Sequence, residues 1–253
     1  MSYPLSKITL KTLRKINKIK LDRNEHNLLS NKKKYKLLQN FFESNKSKYN
    51  TYSTINLTIT DFIPTRRDLI EVKTYSVGPF VHPNLRSKIP DNNWTKITCK
   101  QGKIILITKN NKYRDSVINQ LPYLINIIRL INPNKTFNVI LFLTDFKKKW
   151  PKDKIIKAEN ANSGFTFIRG KKIFIWRFEE WSKVFIHEIV HAYNCDSGHI
   201  KNGKLNIYEG ITDFWAILYH CLFISIYFNK SWQEILWNEY LFIYIQYSYL
   251  VKL

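Results

Sequence analysis

Apolar and polar positions along the 253-residue chain fall into two parts of different clarity. From residue 103 onward the periods are plain. Residues 103–108 (K-I-I-L-I-T) form a short β-branched run, the pattern of a buried strand. Residues 113–131 place Val117, Leu121, Leu124, Ile127, Ile128 and Leu130 at helical spacing, with Pro122 implying a kink. Asn132-Pro133-Asn134 ends that helix, and Phe137–Thr144 reads as a second strand. A lysine-rich loop follows, with Lys147, Lys148, Lys149, Lys152, Lys154 and Lys157. Residues 164–169 and 172–177 then read as two short strands joined through Gly170-Lys171. A helix is expected over 179–194, a polar loop over 195–206, and two further helices over 208–228 and 231–251. The first hundred residues are less regular. Apolar pairs among lysines (Leu28-Leu29, Leu37-Leu38, Phe41-Phe42) predict amphipathic helices up to about residue 50. Alternation in Thr54-Ile55-Asn56-Leu57-Thr58-Ile59-Thr60, then prolines at 64, 79, 83 and 90, predicts strands and loops over 51–100. The expected organisation is a basic N-terminal segment, 1–100, followed by a folded α+β domain, 101–253. That domain would hold a small mixed sheet and a helical C-terminal part.

Composition changes this picture in two ways. An apolar share of 44% and an aromatic share of 15% exclude a disordered chain. The net charge of +22 favours an acidic partner: nucleic acid or an anionic surface met by the basic N-terminal segment, or an acidic protein. A solvated lysine-rich surface inherited from codon bias is the alternative. Lysine, asparagine, isoleucine and tyrosine are abundant while Gly, Pro and Met number 7, 8 and 1, which points to an AT-rich genome or a large DNA virus. Three dispersed cysteines, Cys99, Cys195 and Cys221, form no disulfide framework or cysteine metal site. With no apolar signal segment in residues 1–20, an intracellular location is expected. Residues 211–228 are apolar, but Asp213 and His220 within them favour a buried helix over a membrane span.

The candidate chemistry lies in the 179–194 helix, which carries His187-Glu188-Ile189-Val190-His191. In a helix two histidines four residues apart stand about 40° apart on one face and roughly 6 Å apart along it, so both imidazoles can reach one tetrahedral ion. Glu188 sits at the edge of that face, beside the ion, as a general base acting on water. A zinc site with an open position needs a third protein ligand. The metzincin continuation would require Gly at 194 and His at 197, where the chain has Asn194 and Ser197.

Farther on, Glu209 and Asp213 are spaced one helical turn apart in Tyr208-Glu209-Gly210-Ile211-Thr212-Asp213. With the two histidines they resemble the gluzincins, the thermolysin-like and aminopeptidase-like zinc peptidases, over residues 103–228. The resemblance implies a zincin (metalloprotease-like) fold holding one Zn²⁺ through His187, His191 and Glu209, with Asp213 accepting the N–H of a liganding imidazole. It implies a metallopeptidase acting on a peptide or protein substrate, Glu188 taking the proton from water activated by zinc. It also places Gly164, Phe165 and Thr166 on an edge strand that binds substrate backbone. Where aminopeptidases carry a glutamate that grips the substrate amine, this chain has Ala161, so an endopeptidase is expected. Candidates for the oxyanion donor are Tyr193, His199, Tyr208, Tyr240, Tyr244 and Tyr247. His220 reads as a satisfied core histidine. The competing reading is a catalytically inactive binding or structural protein on the same scaffold, associated with nucleic acid or a virion through its basic surface.

Overall fold

A computed structural model describes residues 32–78, 81–89, 92–148, 158–167, 172–195 and 208–250. The expected helical turns in residues 1–31, the Gly170-Lys171 turn, most of the 195–206 loop and His199 lie outside them.

The described elements run in the order α1 (Lys32–Thr51), β1 (Thr58–Asp61), α2 (Arg66–Tyr75), β2 (Asn93–Cys99), β3 (Gly102–Thr108), α3 (Asn111–Ile131), β4 (Phe137–Thr144), α4 (Ala158–Ala161), β5 (Gly164–Phe167), β6 (Lys172–Arg177), α5 (Trp181–Ala192), α6 (Tyr208–Tyr227) and α7 (Trp232–Leu250). The strands make one six-stranded mixed sheet in the order β1-β2-β3-β4-β6-β5. β3, β4 and β6 are parallel at its centre, while β1, β2 and β5 run antiparallel to their neighbours. Parallel strands must be covered on both faces, which is why β3, β4 and β6 read as near-continuous apolar runs.

Alternation along the strands divides the core in two. Ile97, Ile104, Leu106, Val139, Leu141, Ile173 and Ile175 face α3, α5 and α6. Trp94, Ile105, Ile107, Ile140, Phe142, Phe174 and Trp176 face α2 and the segment around Leu85 and Ile89. β5, at the sheet edge, obeys the same rule. Gly164 and Thr166 pair with Ile175 and Ile173 and so face α5, while Phe165 packs near Phe174 and Tyr75 on the other side.

Two expectations are corrected. The first concerns residues 51–100, where α2 is a helix rather than strand or loop. Its start is a capping box: the Thr65 hydroxyl accepts from Asp68 N–H, and the Asp68 carboxylate accepts from Thr65 N–H at 2.9 Å. The second is the boundary at residue 100. It falls in the tight connection where Cys99 pairs with Gly102, so the sheet continues across it and β1 and β2 belong to the same core as β3. A Cβ on Gly102 would stand 2.2 Å from the Phe137 carbonyl oxygen, so the close approach of this turn to β4 requires glycine. The basic α1 also belongs to the packed body. Phe42 is buried and stacks on Trp232 of α7 at 4.4 Å between centroids, and Phe41 meets Trp215 and Tyr219 of α6.

α6 is long and apolar enough to cross a membrane by length and composition, but it packs against α1, α3, α5 and α7. Between α5 and α6, Ser182 Oγ lies 3.2 Å from His220 Nε2, the partner expected of a core histidine. Burial, with a smaller contribution from Lys183, pushes the His220 imidazole down to about 3, so it is neutral in the fold. The unfolded chain takes up a proton near pH 6.5 that the folded chain refuses. The resulting stability is whole above pH 6.5 and is lost as pH falls toward 3, at about 1.4 kcal/mol per unit of difference. His220→Gln is therefore expected to flatten the decline in urea midpoint between pH 6.5 and 4. An unchanged decline would show that His220 is not its source.

Candidate metal centre

α5 begins after Glu180 and ends where Asn194 adopts a left-handed conformation, φ 58°, with its N–H donating to the His191 carbonyl. Asparagine tolerates that conformation where most residues do not, and it closes the helix just past the second histidine. Phe185, Ile186 and Ile189 are buried in the core shared with the sheet, which turns His187 and His191 toward α6. Glu209 lies in the first turn of α6.

The structure brings His187, His191 and Glu209 together. His187 Nε2 and His191 Nε2 are 3.2 Å apart, and Glu209 Oε2 lies 3.5 Å from each. A tetrahedral zinc bonded to N and O ligands at about 2.0–2.1 Å separates them by about 3.3 Å, so the point equidistant from these three atoms is about 2 Å from each. Three donors converge without adjustment, and the donor set of two imidazoles and one carboxylate suits a borderline divalent ion. Glu209 and Asp213 are exposed, which leaves the centre open on the α6 side.

The surrounding side chains fix the ligands. Asp213 Oδ1 accepts from His187 Nδ1 at 2.9 Å, which commits the proton to Nδ1 and leaves the Nε2 lone pair available to a metal ion. That bond also holds the Asp213 carboxyl below the usual carboxylate range. Burial presses the His187 imidazole down, but Asp213, Glu188 and Glu209 outweigh it and its pKa is raised.

Glu188 is 5% exposed and stands outside the ligand triangle. Burial raises its carboxyl pKa, and the neighbouring His187 and Thr166 oppose that rise. β5 supplies this contact. A Cβ on Gly164 would stand 2.7 Å from Val184 Cγ1, so the missing side chain lets α5 settle on the strand. Thr166 Oγ1 then donates to the Glu188 carbonyl at 3.2 Å. Gly164, Phe165 and Thr166 lie on the edge strand β5, and the first and last of them face α5.

Sequence reasoning missed the braces around α5. Glu180 pairs with Lys148 at 2.9 Å and accepts from the Ser163 hydroxyl, while Lys183 pairs with Glu239 of α7. Lys183, one turn before His187, was the available signal. Among the oxyanion candidates, Tyr193 is corrected. It is buried in the core, its hydroxyl donates to the Lys135 carbonyl at 3.1 Å, and burial raises its phenol pKa. Tyr240 stacks on Trp237, Tyr244 is half-buried, and the side chains of Tyr208 and Tyr247 are outside the described set.

Comparison with protein-family models, with curated proteins and with solved structures gave no match.

Proposed function

We propose that the protein is a zinc-dependent endopeptidase of gluzincin type on a zincin-like fold. The observation that carries this is the convergence of His187 Nε2, His191 Nε2 and Glu209 Oε2 at the edge lengths of a tetrahedral zinc site, with Glu188 beside it but outside the ligand set. Zinc held there would polarise a carbonyl and acidify a water.

The chain's own groups supply the remaining steps. In its carboxylate form Glu188 takes a proton from the attacking water and returns it to the nitrogen of the departing amine. Its burial keeps competing water away, and Thr166 fixes the turn of α5 that carries it. Asp213 keeps the His187 ring oriented throughout. Among the described residues β5 is at the edge of the sheet, and the side of that strand away from β6 is where an extended peptide can add as a further strand. With no glutamate at Ala161 to hold a free amine, internal peptide bonds are the expected targets.

The test is mass-spectrometric mapping of products from unfolded protein substrates, with zinc present and with zinc removed by a chelator. Zinc-dependent internal cuts support the reading. Loss of terminal residues alone would make it an exopeptidase, and intact substrates would leave a binding protein on this scaffold.

A further inference from the structure

The register of the sheet assembles a second feature on the face opposite the metal centre. Thr58, Thr98, Lys103, Asn138 and Lys172 occupy one cross-strand row over five adjacent strands, from β1 to β6. The next row toward the other end of the parallel strands is apolar at Ile105, Ile140 and Phe174, which are buried. The polar row is therefore where coverage of this face stops. In that second row Lys96 and Thr60 are exposed, and Lys96 stands diagonally beside Lys103. Thr58, Lys103 and Asn138 are exposed as well.

α2 adds to the positive charge. Arg67 lies within electrostatic reach of Lys172, and both Arg67 and Lys103 are felt by Asp68. The two acids of α2 are already engaged: Glu71 pairs with Lys172, and Asp68 caps the helix. Lys96, Lys103 and Arg67 thus form an exposed cationic strip on a rigid sheet and its bordering helix, in a chain of net charge +22.

We propose that this strip binds the phosphate backbone of nucleic acid. Lys96 and Lys103, diagonal neighbours on adjacent antiparallel strands, stand about 7–8 Å apart. Threonine and asparagine beside them supply neutral hydrogen-bond donors to the same backbone. From Thr58 to Lys172 the row carries no apolar side chain, and it meets an apolar position, Phe167, only at the β5 edge. Protein–protein interfaces centre on aromatic and aliphatic anchors and are depleted in lysine, so a protein partner fits this surface poorly. Contacts confined to phosphate give affinity without sequence preference and a strong dependence on salt. The surface and the metal centre lie on opposite faces, so occupancy of one does not block the other.

The test is fluorescence anisotropy of the full chain with labelled oligothymidine and with a labelled duplex, over a range of sodium chloride concentrations. Lys96→Glu with Lys103→Glu is expected to weaken binding at least tenfold at moderate salt. It should also lower the slope of log affinity against log salt by about 1.4–1.8, two phosphate contacts' worth. Lys96→Gln with Lys103→Gln should move both readouts in the same direction, which covers the case in which charge reversal disturbs the fold. Lys46→Glu with Lys48→Glu makes the same charge change on exposed positions of α1, on the other side of the sheet, and should leave binding within about twofold of the parent. Equal losses from the α1 and sheet pairs would overturn the proposal in favour of a diffuse field. Absence of binding by the parent chain, or tighter binding of a labelled polyglutamate than of either oligonucleotide, would overturn it as well. Glu188→Gln should bind the oligonucleotides as the parent does, which separates this surface from the proposed hydrolytic activity.

Discussion

Glu188→Gln is expected to keep the full metal content of the parent protein and to lower peptide hydrolysis by about 10²–10⁴-fold. The two halves of that result rest on different observations. Metal is retained because the carboxylate of Glu188 is not one of the three atoms that converge, and glutamine has nearly the same shape in a site that is 5% exposed. Turnover is lost because an amide cannot take a proton from water at neutral pH. Burial of the residue makes rescue from bulk solvent inefficient. Hydrolysis should be followed by mass spectrometry of peptide products, and metal by elemental analysis of the same preparation. Undiminished turnover in Glu188→Gln would remove this residue from the chemistry.

Glu209→Ala should have the larger effect on the metal. It deletes the single anionic donor, leaving two neutral imidazoles that cannot hold a divalent ion tightly. Replacing a partner that only orients a ligand costs roughly 10–100-fold in metal affinity, the range expected of Asp213→Asn. Loss of Glu209 itself should exceed that range, so the two variants form an ordered series. Competition titration with a chromophoric chelator reads both. The fold should survive, since Glu209 is exposed and lies in the first turn of α6, whereas the packed part of that helix begins with Thr212 and Ala216. Equal affinities for the parent and Glu209→Ala would remove the residue from the ligand set.

The donors of the centre were legible in the sequence because their relations are local. His187 and His191 are one turn apart on one helix, Glu209 and Asp213 one turn apart on another, and helix geometry alone places each pair on a common face. That Asp213 would accept from one of the imidazoles was implied by the gluzincin resemblance; which imidazole, His187 through Nδ1, depends on how α5 and α6 pack. β3 and β4 were legible for a similar reason, since fully buried parallel strands are apolar runs. α2 was not. It has only ten residues, begins directly after Pro64 and Thr65, and mixes Arg66, Arg67, Asp68 and Glu71 among its apolar positions, so its capping box was the better signal. The boundary at residue 100 failed because the apolar pattern becomes plain only from residue 103, while in space Lys100 and Gln101 form the tip of a hairpin joining β2 to β3.

What was least legible is what depends on register between distant segments. Thr166 reaches Glu188 because β5 pairs antiparallel with β6, and Ser182 meets His220 because α5 and α6 pack together. The row from Thr58 to Lys172 collects residues separated by more than a hundred positions. No period within a single segment announces any of these.

The most direct test of the metal centre is X-ray absorption at the zinc edge on protein loaded with one equivalent of zinc and freed of excess. One tightly held ion per chain is expected, with a first shell of two imidazole nitrogens and light oxygen donors at about 2.0–2.1 Å, and with that shell lost in Glu209→Ala. A shell containing sulfur, a single imidazole, or the same spectrum in Glu209→Ala would contradict a centre built from His187, His191 and Glu209.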